Sequence, residues 1–142
     1  METLDPIACG LPHREPFIFI DTVLDLQPGQ SAVCTKHFVT SEPFFRGHFP
    51  GNPLVPGVIL TEAAAQTAGI AAGQPGKTYY LSAIRQMKFL RPVPPDTTVE
   101  FTATKTAESS GLLQFQVTAC VNNTPVAEGF IVLNASAPNV TE

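Results

Sequence analysis

The chain has 142 residues, 44% hydrophobic and only 14% charged, with a net charge of −4. That is enough for one domain around one core, and the acidic balance excludes a nucleic-acid binder, which needs a basic footprint. No run approaches the length of a membrane span. METLDPIACG at the N-terminus lacks the basic-then-apolar order of a secretion signal, and Cys9, Cys34 and Cys120 match no metal pattern. Reduced, buried thiols in a cytosolic protein are therefore expected.

In chain order, LPHREP (11–16) is a proline-bounded turn carrying His13 and Arg14. Phe17 to Leu26 is rich in β-formers, Gln27 to Gln30 reads as a turn, and Ser31 to Phe38 alternates as a second strand, giving a hairpin. His37 is expected on the surface of that strand, outside the chemistry. PFFRGHFPGNPLVPG then forms a stiff loop, with Phe44 and Phe45 as apolar anchors and Pro50, Pro53 and Pro56 fixing φ. The pattern predicts one helix over Gly57 to Ala72, with Pro56 at its start and Gly73 as a left-handed cap. A turn at 74–77 leads to a long strand, Thr78 to Phe89, with Tyr80, Ser82, Ile84, Gln86 and Lys88 in one register. RPVPPD (91–96) is too proline-rich for an interior strand. Three more strands, Thr98 to Ala107, Leu112 to Val121 and Pro125 to Asn134, are joined by turns at 109–111 and 122–124 of hairpin length. Residues 1–10 and 135–142 are peripheral.

The predicted helix is apolar almost all round, so it must be buried. One buried helix followed by antiparallel strands means α+β, with the sheet curled around the helix. A single sheet of this size leaves part of such a helix uncovered, so a dimer that continues the sheet across an edge is expected. Four of the eight Lys and Arg residues, Lys77, Arg85, Lys88 and Arg91, fall within the fifteen positions 77–91 that follow the helix. They form either an ordinary strand face or a patch for an acidic partner.

Glu62 and Gln66 lie four residues apart inside that apolar helix, and so on one face. A carboxylate there needs a partner, a water-filled pocket or a proton. His48, in the loop that feeds the helix, is the obvious companion, since a histidine can act as a base near neutral pH. The helix start at Gly57 offers free N–H groups and the positive end of a dipole, suited to a carbonyl oxygen. Acid, base and oxyanion site fit proton abstraction beside a carbonyl with loss of a β-leaving group. A purely structural His–Glu pair satisfies the same spacing.

GHFPGNPLVPGVILTEAAAQ (47–66) resembles the active-site signature of the FabZ-type (3R)-hydroxyacyl-[acyl-carrier-protein] dehydratases. LPHREPFIFID (11–21), EPFFRGHFPG (42–51) and YLSAIRQMKFLRPVPPD (80–96) match in the family's order, so the resemblance covers most of the chain. It implies a hotdog fold, an antiparallel sheet wrapped around one long central helix. It also implies a homodimer with two shared active sites, assembled as a dimer, as a hexamer (a trimer of dimers) or as a hetero-oligomer with a related hotdog subunit. His48 takes the position of the base that removes the α-proton, and Glu62 that of the acid that helps the hydroxyl leave, the two meeting across the dimer interface. Gln66 matches the residue that supports the acid by hydrogen bonding, Gly57 the backbone donor to the thioester carbonyl, and Tyr80 an aromatic gating the acyl tunnel. His13 falls in a family motif with a structural role.

Glu rather than Asp at position 62 implies dehydration without isomerisation of the double bond, and neither a cofactor nor a metal is implied. Ala83-Ile84-Arg85 and Thr61 depart from the family's pattern and bear on substrate range, with fatty-acid or specialised polyene- or polyketide-like synthesis as the setting. Arg85, Lys88 and Arg91 would then dock the acidic acyl carrier protein that presents the phosphopantetheine-linked acyl chain. The competing readings are a hotdog acyl-thioesterase and a non-catalytic acyl-binding hotdog subunit.

Overall fold

In a computed structural model, which describes residues 3–74 and 76–135, the chain forms six strands and one long helix. The strands are β1 (Thr22–Gln27), β2 (Ser31–Phe38), β3 (Tyr79–Phe89), β4 (Thr97–Ser109), β5 (Leu112–Val121) and β6 (Thr124–Ala135). They make one antiparallel sheet in the order β1-β2-β4-β5-β6-β3. The helix α1 (Gly57–Ala72) lies across it and packs on every strand. No helix among the described residues is long and apolar enough to cross a membrane.

The helix has the predicted bounds, for the predicted reasons. Pro56 caps its start, and Gly73 ends it with φ 70°, a conformation that costs glycine little. An added Cβ at Gly73 would stand 2.7 Å from the backbone nitrogen of Gly29, so the helix end is seated tightly on the β1–β2 turn. The Gly29 N–H donates to Ala71 O at 2.8 Å, fixing the same junction. Two buried threonines on the helix satisfy themselves: Thr61 Oγ1 donates to Gly57 O and Thr67 Oγ1 to Ala63 O, each at 2.9 Å. The hydroxyl at the departure Thr61 is thus spent inside the helix.

Between helix and sheet, Phe38, Phe101, Phe115, Ile70 and Ile131 are almost wholly enclosed. Each contributes about 1.5–3 kcal/mol by leaving water. Along α1 the sheet and the N-terminal segment cover all but a narrow strip containing Val58, Glu62 and Gly69. One chain therefore covers more of the helix than its composition suggests, and the acidic side chain lies on what remains.

Several details differ from the sequence reading. The first strand begins at Thr22 rather than Phe17, because the preceding backbone bonds elsewhere: Phe17 O and Phe19 N–H go to the Gln66 side chain. The alternation proposed for Tyr80 to Lys88 does not hold. The β3–β6 register shifts between Leu81 and Ala83 and again between Arg85 and Lys88, with Gln86 at φ 53°. Gly129 on β6 makes the second bulge possible, since a Cβ there would stand 2.8 Å from Met87 Cα. Of the three free cysteines only Cys34 is buried; Cys9 and Cys120 are half-buried. His37 sits on the strand surface as expected, tied to Asp96 at 2.9 Å and Thr98 at 2.7 Å. Ala135 closes β6 rather than opening the tail, and the remainder of the tail lies outside the described residues.

The two sheet edges are unlike. Leu4 bridges Val23 and covers part of β1. The outer edge of β3 has no strand beside it among the described residues, and Tyr80 (60% exposed), Ile84 (52%) and Phe89 (51%) stand open along it.

Candidate active site

His48 is placed by the loop before the helix. Phe44 and Phe45 pack on one another with ring centroids 4.8 Å apart, Phe45 buried, and a 3-10 turn (Pro43–Arg46) carries the chain onward. His48 N–H donates to Phe44 O, and Leu54 N–H returns to His48 O at 2.7 Å, closing the loop on itself. The imidazole stacks on Phe49 at 4.2 Å. Its Nδ1 lies 3.2 Å from Leu54 O. A carbonyl oxygen only accepts, so Nδ1 carries the hydrogen and the lone pair of the neutral ring is on Nε2. The backbone has thereby selected the tautomer of a base.

The start of α1 stands in the same cleft of about 340 Å³, whose lining includes His48, Leu54, Gly57, Leu60, Phe89 and Arg91. The amides of Gly57 and Val58 donate to nothing among the described residues, whereas Ile59 and Leu60 N–H both reach Pro56 O. Unpaired N–H groups at a positive dipole end can stabilise an anion, and Gly57 lines the cleft together with the imidazole. A Cβ at position 57 would stand 3.0 Å from the Phe89 ring, closer than ordinary contact. That neighbour belongs to β3, and nothing in the sequence links the two.

Glu62 lies elsewhere in the chain's surface. Its Oε2 accepts from Gln66 Nε2 at 3.0 Å and stands 3.5 Å from His13 Nε2. Gln66, only 1% exposed, also takes the Phe19 N–H on Oε1 and donates to Phe17 O, both at 3.0 Å. One buried amide therefore ties the N-terminal segment to the helix and orients the carboxyl group. Within a single chain no carboxylate approaches His48 to 4.0 Å among the described residues. The structure unites His48 with Gly57, and Glu62 with Gln66, as two separate pairs. The sequence reading did not assign His13 to Glu62; its only signal was the LPHR turn, far from the helix in the chain.

The other proposed residues scatter. Tyr80 is exposed on β3. Arg91 lines the cleft and donates to Pro125 O at 3.1 Å. Arg85 donates to Gln114 Oε1 at 3.3 Å, and Lys88 stands opposite Glu128 in the β3–β6 register.

With this geometry in view, comparison with known proteins is specific. The ApeI-like family model, described as ApeI dehydratase, matches residues 25–129. The 3-hydroxyacyl-[acyl-carrier-protein] dehydratase FabZ of Acetivibrio thermocellus is 42% identical over 125 residues, covering 85% of this chain and 86% of that protein. FabZ of Klebsiella pneumoniae is 40% identical over 124 residues, 83% of this chain and 82% of the relative. Among solved structures, the dehydratase heterocomplex ApeI:P from Xenorhabdus doucetiae superposes with a TM-score of 0.80 at 15% identity, covering 94% of this chain and 92% of that one, which speaks to the fold alone. By both fold and sequence, this chain belongs to the hotdog dehydratase family of the FabZ and ApeI-like enzymes.

Proposed function

We propose that the protein removes water from a (3R)-3-hydroxyacyl thioester held on acyl carrier protein, leaving the trans-2-enoyl thioester. The observation that carries this reading is the His48 tautomer: Nδ1 is committed to Leu54 O, so Nε2 is free as a base in the cleft that also holds the unpaired Gly57 amide. The thioester oxygen accepts from the Gly57 and Val58 N–H groups, which lowers the cost of the negative charge that builds as Nε2 takes the α-proton. Glu62 gives its proton to the β-hydroxyl, which leaves as water. His48 ends one proton richer and Glu62 one poorer, and exchange with solvent resets both. Acid, base and oxyanion donors suffice, with neither a metal nor a cofactor.

Since one chain holds the two groups apart, the working site pairs His48 of one subunit with Glu62 of the other, in a homodimer joined along the free edge of β3. The carrier docks by its acidic surface to Arg85, Lys88 and Arg91, and Tyr80 flanks the acyl path. Such a protein belongs in the cytosol, where Cys9, Cys34 and Cys120 remain thiols.

The test is incubation with a carrier-linked 3-hydroxyacyl substrate, following enoyl absorbance and free thiol together. Enoyl product without thiol release is expected. Thiol release instead would make the protein a thioesterase, and neither product would leave an acyl-binding subunit.

A further inference from the structure

Among the described residues, His13 holds the single buried side-chain nitrogen or oxygen without a partner: Nδ1 is sealed from solvent and bonds nothing. An orphaned buried nitrogen is a cost that a phenylalanine in the same place would not carry. Stacking does not explain the choice either, because the ring lies on Phe17 with centroids 6.0 Å apart and 22° between planes, a contact any flat ring would make. The other nitrogen does what phenylalanine could not, for Nε2 faces Glu62 Oε2 at 3.5 Å. That is long for a hydrogen bond, as contacts in a ligand-free catalytic site often are before they tighten around substrate.

The same Oε2 already has a donor in Gln66, and the direction of that bond is fixed. Gln66 Oε1 receives a backbone N–H, which only donates, and its Nε2 gives to a backbone carbonyl, which only accepts. Nε2 therefore presents hydrogen to Glu62 Oε2 at 3.0 Å, and the amide cannot be turned round. His13 Nε2 faces the same atom, and a hydrogen on that nitrogen makes it a second donor to Oε2. Glu62 Oε1 has no partner among the described residues and is not sealed from solvent. A carboxyl group with one oxygen held by two donors carries its proton on the other.

We infer that His13 is a positioning residue for the dehydration. Through Nε2–H it holds Oε2 as an acceptor beside Gln66, so that the transferable proton resides on Oε1, on the uncovered strip of the helix. His13 itself touches no reacting atom. The inference rests on the acid role given to Glu62 above.

Three substitutions at position 13 separate this from packing. Glutamine places an amide nitrogen near the reach of Nε2, asparagine places one near Nδ1, and phenylalanine keeps only the stacking. His13→Gln is expected to keep turnover within about threefold of the parent, while His13→Phe and His13→Asn lower kcat about 10- to 100-fold, the range for losing a group that orients a reacting one. KM should stay within about twofold, because no ground-state contact to substrate is removed. Full turnover by His13→Phe, a loss confined to KM, or equal damage in all three variants would overturn the inference. Should His13→Phe fail to fold, the ratio of His13→Gln to His13→Asn decides alone. Glu62→Gln is measured beside them: if it is inactive while His13→Phe is unimpaired, the His13 role falls by itself, and if Glu62→Gln turns over normally, both roles fall.

Discussion

At the scale of single residues, the proposed reactive groups are defined by what their other atoms are tied to. Leu54 O occupies Nδ1 of His48, and Gln66 occupies Oε2 of Glu62. Glu62→Gln keeps the shape and removes the proton, so kcat should fall about 100- to 10,000-fold with KM little changed, as steady-state kinetics would reveal. Gln66→Leu leaves Phe19 N–H and Phe17 O unpartnered, and urea unfolding should register a loss of about 1–3 kcal/mol. Cys34 carries a pH dependence. Burial pushes its thiol up from 9.0 to about 12, against a hydrogen bond to Thr67 that pulls it down and a smaller push from Cys9. The folded state thus holds that proton where the unfolded chain has released it. Stability from this group is intact below pH 9.0 and is lost as pH rises toward about 12. Its slope approaches about 1.4 kcal/mol per pH unit. Unfolding free energies of the parent and Cys34→Ala, measured at pH 7 and above 9, should diverge in pH slope; parallel curves would refute the assignment.

At the scale of elements, the junctions are where backbone meets backbone. Gly73 combines a left-handed φ with a neighbouring backbone 2.7 Å from any added Cβ. Gly73→Ala should therefore cost about 1–3 kcal/mol in a thermal or urea melt. Gly129 lacks the φ constraint but faces Met87 Cα at 2.8 Å from an added Cβ. Its alanine variant would push the β3 bulge outward. The helix and most strand bounds were legible from caps, prolines and turn residues that act within a few positions. The shortened first strand was not, because its would-be ladder groups are claimed by Gln66, 47 and 49 residues away. The second bulge of β3 was hidden for the same reason, since it depends on a glycine in β6.

At the scale of the whole molecule, an open β3 edge with Tyr80 and Ile84 exposed, and a helix strip left bare at Glu62, belong to surfaces that a second copy would cover. Sedimentation should find a dimer or a multiple of it, and Ile84→Glu should shift the protein toward monomer with loss of turnover. Shared sites make a sharper expectation. Mixed subunits carrying His48→Ala and Glu62→Gln, each inactive alone, should recover about a quarter of parental activity, since random pairing restores one site in half of the dimers. No recovery after subunit exchange would mean that the two groups are not contributed by different chains.

The sequence by itself determined the buried helix, its bounds and the α+β class, because apolar periodicity, capping glycine and proline stiffness act over short distances, and it named His48, Gly57, Glu62 and Gln66 as candidates. The GHFPG–Glu pattern likewise carried the family resemblance. The tertiary structure alone decided which ring nitrogen of His48 is free, which carboxylate oxygen of Glu62 is open, and that His13 faces that group. Those outcomes depend on partners brought together from distant segments, and a linear order of residues does not encode the direction in which a hydrogen bond will run.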